Sequence, residues 1–221
     1  MEYKCKEFNI YKDEKSSLFI REDTYDTEII KEIKSTYGWM PVQDKVVLDI
    51  GGCFGAYSAY ALGRGAKELH SYEPLKTNFD LLEKNISHFG NGFAYNKALV
   101  PDETTTVDFY VGKNQNNLGN SSQFIKGGRM KLSVDAVNFE KELMRIEPEV
   151  IKVDCEGAEY NIITKEFPSF VKYVTIEFHL GKKKWREVDA PKLELLFKDW
   201  VCIKKPKLTG KNWNTIGKWK R

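Results

Sequence analysis

The chain is poor in cysteine: four in 221 residues, at positions 5, 53, 155 and 202, with no Cys-x-x-Cys pair among them. That excludes the usual zinc and dithiol signatures and gives no disulfide framework. No apolar run approaches the ~20 residues that cross a bilayer, so no membrane span is expected. The N-terminus, Met1-Glu2-Tyr3-Lys4-Cys5-Lys6, lacks the apolar core of a signal peptide. Reduced thiols and a cytoplasmic location are the expectation that fits these absences. Two nucleotide signatures are missing as well. There is no Gly-x-Gly-x-x-Gly to seat a pyrophosphate on a helix N-terminus, and no glycine-rich loop ending Gly-Lys-Ser/Thr. Internal repeats and low-complexity segments are absent too.

What is present suits one enzyme domain. Hydrophobic residues make up 41% and charged residues 30%, ordinary for a globular protein of a size to bury one core. The net charge of +3 hides a gradient. From Gly181 onward there are 13 basic residues against 4 acidic ones, and before it 22 against 28. A basic C-terminal arm carrying Trp185, Trp213 and Trp219 can meet nucleic acid or an acidic substrate, with the tryptophans stacking on bases or sugar rings. No RNA-binding module accompanies it, so a solvated lysine-rich edge is favoured over nucleic acid.

The most informative stretch is Val46-Val-Leu-Asp49-Ile-Gly51-Gly52-Cys53-Phe54-Gly55, followed by Glu73 in Leu69-His-Ser-Tyr-Glu73-Pro74. The first run reads as a strand buried on both faces. Its glycines permit a tight turn and close backbone approach to a ligand. The second strand delivers a carboxylate to its carboxyl end, where open α/β sheets bind nucleotides and an acid some 20 residues on takes the ribose hydroxyls. Asp49-x-Gly51-x-x-x-Gly55 fits neither phosphate-binding template. It suits an adenosine cofactor without phosphates, S-adenosylmethionine, with Glu73 at the ribose and Gly51 to Gly55 at the methionine end. Asn96 to Leu99, after the third strand, is expected at the adenine.

These residues resemble the FkbM-type methyltransferases. The likeness rests on Leu48-Asp49-Ile50-Gly51-Gly52-Cys53-Phe54-Gly55, then on Tyr72-Glu73-Pro74 with Asn78, Leu82 and Asn85 at matching spacing. It continues in Ile151-Lys152-Val153-Asp154-Cys155-Glu156-Gly157-Ala158-Glu159 and in Ile176-Glu177-Phe178-His179. Gly52 and Cys53 stand where the family carries Ala-Asn. The resemblance implies a Rossmann-like, seven-stranded class I methyltransferase sheet, here with a small N-terminal extension. It also implies cofactor contacts from Asp49, Gly51, Gly52, Cys53, Phe54, Gly55, Glu73, Pro74, Asn78, Asn96, Ala98 and Asp154, and acceptors such as sugars, glycans or other secondary metabolites. An O-methyltransferase for a sugar or glycan hydroxyl is the leading expectation. The alternatives are a nucleic-acid methyltransferase, which lacks here the Asn/Asp-Pro-Pro-Tyr usual for amino-methylation, and a non-catalytic cofactor-binding partner.

The acceptor is the chemical difficulty, because a hydroxyl is a poor nucleophile until deprotonated or bound to a metal. Asp154 ends one strand, and Glu177 and His179 end the next on one side of it. Together they suit a Mg²⁺ or Mn²⁺ ion or a general base. Lys152, in an apolar strand, is expected to pair with a carboxylate, since an unpaired buried ammonium is costly, and it belongs to the candidate catalytic set with Asp154, Glu177 and His179. Glu156 and Glu159 precede or begin a helix, where acids favour the dipole whatever the function. Cys53 and Cys155 are expected as small packing residues beside the cofactor. His70 and His88 have no such neighbours.

Residues 1–45 are expected as an extension packed on a methyltransferase domain of 46–221. Glu7 to Tyr11 and Ser17 to Arg21 form its hairpin, and Thr24 to Tyr37 a helix stopped by Gly38. Strands are expected at Val46 to Ile50, Glu68 to Tyr72, Phe93 to Val100, Thr105 to Val111, Val150 to Val153 and Tyr173 to Phe178. Helices are expected at Ala56 to Leu62, Leu75 to Phe89 with Phe79, Leu82 and Ile86 inward, and Lys192 to Trp200. An antiparallel pair then closes the sheet. Gly112 to Gly128 reads as a lid loop holding Ser121 and Ser122.

Overall fold

The computed structural model describes residues 8–111, 130–181, 188–208 and 214–221. The expected lid loop, Trp185 and Trp213 lie outside them. Ahead of the main sheet come β1 (Ile10–Lys12), β2 (Phe19–Arg21) and helix α1 (Asp26–Tyr37), with β1 and β2 paired antiparallel. The sheet takes β3 (Val46–Ile50), β4 (Glu68–Tyr72), β5 (Gly92–Tyr95), β9 (Val150–Val153), β10 (Tyr173–His179), β11 (Val201–Lys204) and β12 (Asn214–Lys220). Its order is β11-β12-β10-β9-β3-β4-β5, and only β12 runs against the others. Helices α2 (Ala56–Gly63) and α3 (Lys76–Ile86) join α1 on one face, while α4 (Phe139–Ile146) and α6 (Ala190–Leu195) cover the other. The short α5 (Glu159–Ile162) follows β9. Strand order reverses between β3 and β9, so this doubly wound sheet opens its ligand crevice at the carboxyl ends of those two strands.

Alternation along the strands sorts the two faces. Leu48, Ile50, Ile151, Val153, Val174, Ile176 and Phe178 pack toward α4 and α6, while Val47, Leu69 and Val150 pack toward α1 to α3. Two residues beyond that second set, the same face turns polar. Paired register places Ser71, Asp49, Lys152, Thr175, Lys218 and Lys204 side by side across β4, β3, β9, β10, β12 and β11. One further step brings Glu73, Gly51, Asp154 and Glu177 to the strand ends. A buried polar row thus lies directly beneath the row that carries the chemistry.

The structure departs from the sequence reading in places with local causes. The strand expected over Phe93 to Val100 is split. The Asn96 amide donates to the carbonyls of Glu73 (2.9 Å) and Pro74 (3.0 Å), which turns the chain. β5 therefore stays beside β4, while β6 (Ala98–Val100) joins β8 (Met130–Asn138) and β7 (Thr106–Val111) in a separate three-stranded sheet. β8 and α4 were not foreseen, because no turn separates them: Asn138 ends the strand and caps the helix, accepting from Lys141 N at 2.9 Å. In α3 the inward residues are Leu81, Leu82 and Ile86 rather than Phe79. The helix expected over Lys192 to Trp200 is the shorter α6. Trp219 is 2% exposed against Phe197 and Phe178, so it cannot stack on a base.

The N-terminal elements are wired into the sheet by buried polar contacts. Arg21 grips Asp26 at the head of α1 through Nε (2.9 Å) and Nη2 (2.8 Å) and donates through Nη1 to Asn78 of α3 (2.6 Å). Asn85, one α-helical turn and more further on, donates to the carbonyls of Phe19 and Phe54 and accepts from Phe19 N. Because Arg21 and Asp26 are almost wholly buried, removing one leaves an uncompensated charge. Arg21→Ala is expected to destabilise the fold by about 3–5 kcal/mol in chemical denaturation. A loss below about 1 kcal/mol would show the pair to be dispensable.

Candidate functional site

A cavity of about 910 Å³ opens at the carboxyl ends of β3, β4, β9 and β10. Its lining includes Gly51, Cys53, Glu73 and Ala98, and also Asp154, Glu177 and His179.

The turn after β3 is shaped for close approach. Gly51 sits at φ +81, and a Cβ there would lie 1.8 Å from the carbonyl oxygen of Asp154. A Cβ on Gly52 would meet Ser71 Oγ at 2.2 Å. Both glycine amides donate to the Tyr72 carbonyl. Cys53 also adopts positive φ, at 49°, a region Asn tolerates better than Cys. Burial pushes its thiol up to about 12, so it packs and does not react. Glu73 closes the turn: Oε2 accepts from Cys53 N (2.9 Å) and Oε1 from Leu75 N (2.9 Å) and Asn78 Nδ2 (3.4 Å). Burial outweighs those bonds and pushes its carboxyl up to about 7.

Of the expected cofactor residues, Gly51, Gly52, Cys53, Phe54, Glu73, Pro74, Asn78, Ala98 and Asp154 line the cavity. Asp49, Gly55 and Asn96 do not. Asp49 is fully buried beneath the turn, accepting from Ser58 Oγ (2.6 Å) and Ser71 Oγ (3.3 Å) and pairing with Lys152 (3.1 Å). Gly55, at φ +89, brings α2 against Leu82 of α3. Asn96 is spent on the Glu73 and Pro74 carbonyls.

Lys152 is 4% exposed and resolves its burial through Asp49, the Gly51 carbonyl (2.5 Å) and Asp154 (3.8 Å). Burial disfavours its charge, yet Asp49 and Asp154 hold the ammonium above its ordinary range. It braces the turn and the carboxylate beside it.

On the same cavity wall, ligating atoms of Asp154, Glu177 and His179 lie within 4.8 Å of one another. His179 Nε2 faces Glu156 (3.6 Å), Asp154 (3.8 Å) and Glu177 (4.0 Å). Behind it, fully buried Glu159 accepts from His179 N (2.8 Å) and lies 3.2 Å from Nδ1. Its other oxygen accepts from Gly157 N. Glu159 thus assigns the proton to Nδ1 and aims Nε2 at the cavity. Burial opposes the imidazolium, but Glu159, Glu156 and Asp154 prevail and hold it well above its ordinary range. Glu177 is pushed up to about 8, first by burial and then by Asp154. Two carboxylates and one imidazole, with the histidine held from behind, form a set suited to a hard or borderline divalent cation.

Sequence reasoning gave Glu159 no role beyond a helix start; its place in Lys-x-Asp-x-Glu-Gly-Ala-Glu was the only available signal. It also missed Tyr37, a buried α1 residue on the cavity wall whose ring lies tilted 5.0 Å from that of Tyr57, and Asn214, whose amide donates to Glu177.

Residues 49–200 match the model of the methyltransferase FkbM domain. No curated protein matches the chain. Among solved structures, a Pyrococcus horikoshii protein assigned as a transferase is similar at TM-score 0.53 and 10% identity, over 96% of this chain and 71% of that one. A dimethyladenosine transferase from Plasmodium falciparum is similar at 0.50 and 12%, over 88% and 62%. The magnesium protoporphyrin IX methyltransferase of Synechocystis PCC 6803, solved with bound SAM, is similar at 0.49 and 10%, over 88% and 80%. At such identities the likeness shows the fold.

The raised carboxyl of Glu73 makes a pH prediction. Its folded value of about 7 lies above the ordinary 4.5. The protonated form therefore favours the fold fully below about 4.5, and that contribution is lost as pH rises through about 7. Urea unfolding of the ligand-free protein is expected to show Glu73→Gln losing less stability than wild type between pH 5 and 8. Parallel pH profiles for the two proteins would contradict this.

Proposed function

The chain belongs to the FkbM methyltransferase family, and from that premise we propose that it transfers a methyl group from S-adenosylmethionine to a hydroxyl of a sugar or glycan. The cofactor supplies a methyl on a sulfonium centre. Gly51 and Gly52 present backbone where a Cβ would intrude, which suits close seating of its methionine end. Glu73, at the end of β4, suits the ribose hydroxyls, and Pro74, Asn78 and Ala98 extend that wall toward the adenine.

The observation that carries the reading is the convergence of Asp154, Glu177 and His179 in the cavity that the glycine turn also lines. Glu177 and Asp154 flank an acceptor hydroxyl and fix its direction. His179, its Nδ1 side held by Glu159, takes the hydroxyl proton on Nε2 from its neutral form, which the surrounding acids shift to higher pH. A divalent cation held by the same three residues would instead supply the Lewis acidity that lowers the pKa of a hydroxyl. Three carboxylates crowded on Nε2 favour such a charge, which would offset their repulsion. Lys152 keeps Asp154 in place from below and takes no proton itself.

Labelled S-adenosylmethionine on a glycan array, beside an RNA control, tests the acceptor class. Label in RNA and none in glycans would replace this reading with a nucleic-acid one. On an acceptor so found, Asp154→Ala and His179→Ala are expected to lose about a hundredfold or more in kcat, with cofactor affinity preserved. EDTA should abolish turnover, and Mn²⁺ or Mg²⁺ should restore it. Full activity in EDTA removes the cation, and normal turnover by Asp154→Ala removes the site.

A further inference from the structure

Beyond Glu177 the cavity wall becomes basic. Lys204, at the end of β11, and Lys207, in the segment after it, line the same cavity as the three convergent residues. Lys207 N donates to Thr215 Oγ1 (2.9 Å), which fixes that segment beside β12. Register on the sheet pairs Glu177 with Ile216, and Lys204 with Lys218. Lys204 therefore lies two strands from Glu177 and two residues back along them, at the level of Thr175, about 12 Å at ~4.8 Å per strand and ~3.4 Å per residue. That is the span of one sugar ring and the substituent beyond it.

Among the described residues Lys204, Lys207 and Lys218 have no ion pair with an acid. Lys204 and Lys218 face each other as a like-charged cross-strand pair, an arrangement that costs stability. Lys218 is only 8% exposed, and burial together with Lys204 depresses its pKa. An unpartnered buried ammonium beside a second one marks a position where an anion is favoured. The lining also carries Glu28 and Glu32 of α1. An anionic group is repelled by these acids and drawn toward the lysines after β11. Lys204, Lys207 and Lys218 all lie past the residues that match the family model, as Glu28 and Glu32 lie before them.

We propose that the acceptor carries an anionic group, phosphate or carboxylate, which Lys204 and Lys207 hold while its hydroxyl lies at Glu177 and His179. This rests on the acceptor end of the cavity being where we place it under the proposed function. Lys218 adds to the field from beneath. The acceptor class is then a phosphorylated or acidic sugar, or one linked through a diphosphate, and not a neutral one.

The test uses the full chain with S-adenosylhomocysteine bound and inorganic pyrophosphate as the probe, by calorimetry at low ionic strength. Wild type is expected to bind pyrophosphate. Lys204→Gln/Lys207→Gln is expected to bind it at least tenfold more weakly, and the double arginine variant to recover. Both lysines are exposed, so neither change threatens folding, and S-adenosylhomocysteine affinity should be equal in all three proteins. Absence of pyrophosphate binding, or equal binding by the glutamine variant, overturns the anionic acceptor while leaving the methyltransferase reading intact. Failure of wild type to bind S-adenosylhomocysteine would instead remove that reading.

Discussion

A buried ion pair between Lys152 and Asp49 joins the two strands on either side of the point where the sheet reverses its order. Neither side chain reaches water, so neither charge is tolerable without the other. The pair leaves its mark on both halves of the crevice. Asp49 draws in Ser58 from α2 and Ser71 from β4, which positions the helix and strand that flank the glycine turn. Lys152 holds the Gly51 carbonyl from below and stands 3.8 Å from Asp154. Cofactor turn and acceptor carboxylate are thus referenced to the same ammonium.

A second chain of contacts reaches the crevice from outside the family match. Asp26, Arg21, Asn78 and Glu73 are linked in series, ending at the amide of Cys53. The N-terminal hairpin and α1 are therefore part of the mechanical support of the turn, and α1 also walls the cavity through Ile33 and Tyr37. Such a network is worth more intact than as isolated pairs, because each member orients the next in a low-dielectric setting.

The cofactor half of this arrangement was legible because its causes are local. β3 and β4 occupy the ranges read from their apolar runs, and the glycine turn follows from backbone that no Cβ can share. The cost of burying Lys152 alone demanded a carboxylate partner, though not which one. Asp49, read as a cofactor ligand, is the partner instead, since its position beneath the turn depends on the register of three strands. Asn96 lies off the cavity for a similar reason: its amide stops a strand that its neighbours' propensities would continue. Glu159 stayed hidden because its partner, His179, is 20 residues away on another strand. The basic wall of Lys204 and Lys207 was visible only as a charge gradient until the fold brought both lysines into the cavity that Glu177 lines.

The central claim, that the Lys152–Asp49 pair organises the crevice, is most directly tested by a double-mutant cycle. Asp49→Asn, Lys152→Met and the combined variant are compared with wild type by urea unfolding. The two changes are expected to be strongly non-additive, with a coupling of about 1.5–3 kcal/mol, as befits a buried charge pair 3.1 Å apart. Additivity within about 0.5 kcal/mol would contradict it.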